Sequence, residues 1–104
     1  MKHMITFAIL IVSMSSFAGC LDKVTSDYRE LTIQRNYDYD WVGLKSSSIA
    51  DYSKRWSTFT TQKSGDQYEV FEGQSEYMSG LGIDALIVDR NTCETVEVIE
   101  VYAE

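Results

Sequence analysis

The fold turns on one stretch, Asp84-Ala85-Leu86-Ile87-Val88-Asp89-Arg90-Asn91-Thr92-Cys93-Glu94-Thr95-Val96-Glu97-Val98-Ile99-Glu100-Val101-Tyr102. Ala85 to Val88 is a continuous apolar run, which suits a strand buried on both faces. Asn91-Thr92 supplies the turn, so Asp84 to Arg90 and Cys93 to Tyr102 form a hairpin. In its second strand Val96 and Val98 share one face while Ile99 and Val101 share the other. A bulge near Val98 reconciles them.

Working outward, Gln67 to Phe71 reads as another strand and Gly73 to Gly82 as a loop, with Gly80 and Gly82 as breakers. Ile49, Tyr52, Trp56 and Phe59 recur at spacings of three, four and three, one face of a helix. Ser48 can cap that helix, Asp51 sits three residues on, and Lys63 and Gly65 mark its end. Ser57-Thr58-Phe59-Thr60-Thr61 is poor in helix formers and argues against it. Tyr28 to Val42 reads as extended, because Leu31 and Ile33, then Tyr37, Tyr39 and Trp41, alternate with polar neighbours, and Asn36 can divide it. The architecture expected is α+β, with one helix over about residues 49–62 packed on a small antiparallel sheet of four to five strands. A small all-β barrel, with residues 49–62 as strand, is the alternative.

The N-terminus carries a different signal. Lys2 precedes the apolar run Met4 to Val12, and Phe17-Ala18-Gly19-Cys20 follows, the layout of a secretory signal peptide. The run is shorter than a bilayer span of about 20 residues. Residues 1–19 are therefore expected to be a signal peptide, 20–27 a tether and 28–104 a single small mature domain. Phe17-Ala18-Gly19-Cys20 resembles the lipobox of bacterial prolipoproteins, with Phe17 where leucine is usual. That resemblance implies cleavage before Cys20, a diacylglyceryl thioether on its sulfur and a membrane anchor through it. Leu21 after the cysteine, in place of aspartate, implies the outer membrane, facing the periplasm. Ser16-Phe17-Ala18 also fits ordinary cleavage, which would leave a soluble periplasmic protein. In that case Cys20 and Cys93, the only two cysteines, would pair in an oxidising compartment. The two readings exclude one another, since one sulfur cannot carry both bonds.

Composition narrows the chemistry. The only histidine is His3, so residues 20–104 contain none, and the chain has no proline. Serine–histidine or cysteine–histidine catalysis and histidine metal ligation are closed to that segment. It carries eight Lys/Arg and sixteen Asp/Glu, a formal charge of −8. Nucleic-acid binding needs clustered cations and is not expected. The acidic balance suits a basic envelope protein or a cell-wall partner. No enzyme, cofactor or metal is expected.

Three local patterns fall short of a motif. Asp38-Tyr39-Asp40 with Gly43 brushes the calcium-loop pattern but has Val42 and Ile49 where oxygen ligands belong. Gly80-Leu81-Gly82-Ile83-Asp84-Ala85 has dinucleotide-fingerprint spacing but runs into a strand instead of a helix. Close carboxylate pairs are inevitable among so many acids and point to no glycosidase. Tyr37, Tyr39 and Trp41 are the candidate binding stripe, a stacking face for glycan or protein. Ser64-Gly65-Asp66-Gln67-Tyr68 resembles the Ser-Gly-x-x-Tyr signature of the membrane-bound inhibitors of C-type lysozyme, small envelope barrels. The second signature of that family is lacking after Tyr68. The resemblance implies that Ser64 and Tyr68 lie on an inhibitory loop of a soluble periplasmic inhibitor.

Overall fold

The computed structural model describes residues 20–43 and 48–104. The expected signal peptide, residues 1–19, lies outside the described residues. Residues 20–35 are helical and are labelled α1. The elements that follow are β1 (Asp38–Val42), α2 (Ile49–Ser53), β2 (Tyr68–Tyr77), β3 (Gly80–Asp89) and β4 (Thr95–Ala103). The four strands form one antiparallel sheet in the order β1-β2-β3-β4. The sheet is open, so the α+β expectation holds and the barrel alternative does not.

β3 lies between β2 and β4, and Ala85 to Val88 are all buried, as the apolar run requires. Leu86 and Val88 turn to one face, where they meet Phe71 and the α1 residues Cys20, Val24 and Tyr28. Ala85 and Ile87 turn to the other, where they meet Val70, Val101, Tyr52 and Phe59. Each face of β3 thus has its own apolar cover, which is why this strand shows no polar alternation.

The helical cover differs from the sequence expectation in two places. Residues 20–27, expected as a tether, are the first half of α1, and Tyr28 to Arg35, expected as extended, are its second half. Cys20, Val24, Tyr28 and Thr32 recur every fourth residue and are buried, which places them on one helical face. Asn36 ends the helix, with φ 61°. Its amide donates to Ile33 O and the Tyr37 amide to Thr32 O, the Schellman pattern with asparagine as the left-handed residue. The helix expected over residues 49–62 is five residues long. Ser48 caps it, its Oγ accepting from the Asp51 amide at 3.1 Å. Beyond Ser53 the β-branched and hydroxyl residues give turns. Ile49, Tyr52, Trp56 and Phe59 still all face the sheet.

Gly73 to Gly82, expected as a loop, lies in the β2–β3 hairpin. Gly73 is in mid-strand because the Tyr28 ring occupies the space of its side chain. A Cβ there would stand 2.7–2.9 Å from three ring atoms. In β4, Val96 and Val101 fall between paired residues while Val98 pairs with Leu86, so two irregularities on either side replace the single bulge expected near Val98. Cys93, with φ 60°, bonds Cys20 across a sequence separation of 73 and ties α1 to the β3–β4 turn.

Candidate functional site

On each face of the sheet a carboxylate binds the cover. On the α1 face Asp84 is 1% exposed. Tyr28 Oη donates to its Oδ2 at 2.7 Å, and Arg35 Nη1 lies 3.3 Å from both oxygens. Ser75 Oγ is 3.2 Å from Tyr28 Oη. Burial, and then the Asp84 carboxylate, push the Tyr28 phenol well above its ordinary range, so it stays a donor. On the opposite face Glu72 Oε1 accepts from Tyr52 Oη at 2.7 Å and from Trp56 Nε1 at 3.2 Å. Among the described residues no buried side-chain polar atom lacks a hydrogen-bond partner. These clusters fasten layers together.

The open end of the sheet is chemically different. Here α1 ends, β1 begins and the β2–β3 hairpin turns. Met78 and Ser79 form the hairpin tip with φ 49° and 65°. Two-residue turns of this hand normally use asparagine and glycine, and each left-handed non-glycine residue costs on the order of 1 kcal/mol. Met78 is 82% exposed and Tyr77 48% exposed. The Tyr77 ring lies 4.8 Å from that of Tyr37. Behind them a cleft of about 260 Å³ has Tyr37 and Tyr77 on one side and Glu100 and Glu104 among its other lining residues. Gly80 fits only because it has no side chain, since a Cβ would collide with the Glu104 carbonyl.

Asp38 pairs with Glu76 across β1 and β2, and Asp40 bulges beside them. A hydrogen bond with Asp40 and the charge of that carboxylate, with Asp38 adding, raise the Glu76 carboxyl above its ordinary range. The folded chain therefore holds this proton to higher pH than the unfolded chain, and stability falls as Glu76 ionises. Glu76→Gln is expected to melt higher than the parent at neutral pH and to match it below about pH 4. Melting curves at the two pH values check this, and a variant no more stable at neutral pH contradicts the crowding. Among the described residues no cluster of histidine, cysteine or acidic side chains is arranged to hold a metal ion.

The sequence candidates are dispersed. Tyr37 belongs to the open end. Tyr39 lies under α1, its ring 6.2 Å from Tyr28 and covered by the Arg29 guanidinium at 4.5 Å. The irregularity at Asp40 breaks the alternation, and Trp41 pairs with Gln74 while Tyr39 pairs with Ser75. Tyr37, Tyr39 and Trp41 therefore do not form one stripe. Ser64 is exposed in a shallow depression with Ile49 and Asp66, whereas Tyr68 starts β2 and packs against the second core. Cys20 and Cys93 are joined. The sequence reading missed Tyr77 and Met78, because they fell in the stretch read as a loop. The signal available was the strand alternation of Phe71, Gly73, Ser75 and Tyr77, masked by the glycine. No protein-family profile, characterised protein or solved structure matches the chain.

Proposed function

We propose that this chain is an exported, disulfide-stapled, non-catalytic binding protein of the bacterial cell envelope that engages a basic protein. The observation that carries the reading is the open end of the sheet, where exposed Tyr77 and Met78 stand among carboxylates. Apolar and aromatic side chains ringed by charge are the usual make-up of a docking surface. Export is supported by the Lys2-to-Cys20 pattern, and the Cys20–Cys93 bond suits an oxidising compartment. The lipobox-like Phe17-Ala18-Gly19-Cys20 favours a second form, anchored at the outer membrane through Cys20, in which Cys93 would keep its thiol.

Intact mass of the protein from its native envelope, without reductant, separates the two. A mass lacking acyl chains and two hydrogens short of the reduced value supports the stapled form. Acyl chains on Cys20 overturn it. The binding claim is tested by titrating basic envelope-acting enzymes, a C-type lysozyme among them, at low and high salt. Salt-sensitive binding to at least one supports the reading, and binding to none at low salt removes it.

A further inference from the structure

The cleft at the open end has features that a generic acidic surface lacks. One wall is aromatic, with the Tyr37 and Tyr77 rings 39° from parallel. Gly82 contributes no side chain to the lining, and Glu100 and Glu104 are among the other lining residues. Arg35, the cation at this end, is engaged by Asp84 and stands 5.8 Å over the Tyr37 ring. That pair cancels in charge, so Glu100, with Glu104 at the end of β4, sets the sign of the cleft. Glu104 Oε2 accepts from Tyr102 Oη at 2.7 Å, which fixes the carboxylate. The last carbonyls of α1 lie at this end, and a helix C-terminus favours a cation.

The cleft is small. About 260 Å³ is below the roughly 300–1,000 Å³ of small-molecule and cofactor sites, and suits one long side chain. Aromatic faces attract cations, and a planar guanidinium both stacks on a ring and forks onto a carboxylate. Met78 and the exposed edge of Tyr77 form an apolar rim, so the side chain arrives on a protein surface. We infer that the cleft between Tyr37, Tyr77, Glu100 and Glu104 is a receptor for an arginine side chain presented by the basic partner.

This rests on the basic-partner reading, and the test separates the two. The ¹⁵N-labelled protein, purified with its disulfide intact, is titrated with acetylated tetra-arginine amide. Tetra-lysine and the neutral tetra-citrulline serve as comparisons. The expected result is saturable shifts at Tyr37, Tyr77 and Gly82, no binding of citrulline, and weaker binding of lysine. Glu100→Gln/Glu104→Gln should weaken the arginine peptide at least tenfold, whereas Glu94→Gln/Glu97→Gln should change it less than threefold. All four glutamates lie on β4 or just outside it, so equal losses for both pairs would mean bulk charge and overturn the site. Equal affinity for lysine overturns the guanidinium. Shifts centred elsewhere overturn the cleft but leave a basic partner standing, while no binding of any cationic peptide or basic enzyme ends both.

Discussion

Cys20→Ala/Cys93→Ala is expected to lose roughly 4 kcal/mol of folding stability on the chain-entropy account of a loop this long. The bond spans a separation of 73 residues, most of the described chain. A core of this size seldom supplies more than about 3–5 kcal/mol by itself, so the variant should stand near its folding threshold at room temperature. The loss has a local component as well. Cys20 is the first buried residue of the α1 face, and without the bond that end is held by Val24 and Tyr28. Urea denaturation of the parent, the reduced parent and the variant measures the effect. A variant that unfolds within 1 M of the parent midpoint, taking a urea slope of about 1–3 kcal/mol per molar, would falsify the staple as the main support.

Asp84→Ala is expected to cost about 3–5 kcal/mol, the range for removing one partner of a buried ion pair. The carboxylate is 2% exposed in its side chain against 31% for Arg35. Its loss takes the acceptor from the Tyr28 hydroxyl and empties space beneath α1. Asp84→Asn keeps an acceptor for that hydroxyl and should cost about half as much. The ordering alanine worse than asparagine is the informative result in thermal and urea melts. Equal losses would mean that charge, and not the Tyr28 hydrogen bond, sets the cost.

Some of this architecture is written plainly in the residues and some is not. The β3–β4 hairpin is legible because Ala85 to Val88 has no polar interruption and a turn follows at once. Ser48 is legible as a cap because its hydroxyl acts on a neighbour three residues away, a local event. α1 is not, because Leu31 and Ile33 satisfy a two-residue period as readily as Val24, Tyr28 and Leu31 satisfy a helical one. Tertiary burial of Tyr28 against Gly73 decides between them, and those two residues are far apart in sequence. The same pairing hides the hairpin at Met78-Ser79, since a glycine whose side-chain space is filled by another residue reads as a loop. Ile49, Tyr52, Trp56 and Phe59 face the core as their spacing implies, although most of the segment is not helix. Periodicity reports which side is buried more dependably than it reports backbone conformation.

The two outer strands share a property with consequences beyond this molecule. β1 breaks register at Asp40 and β4 at Val96 and again at Val101, while the inner β2–β3 pair runs in unbroken register. A second extended chain laid along either rim would find the donors and acceptors out of step after a few residues. Thr58 Oγ1 already donates to the Val101 carbonyl, which removes another acceptor. Irregular, partly occupied rims resist runaway strand addition. The apolar segment Ala85 to Val88 is thus enclosed, and the accessible strands are poor templates for further pairing.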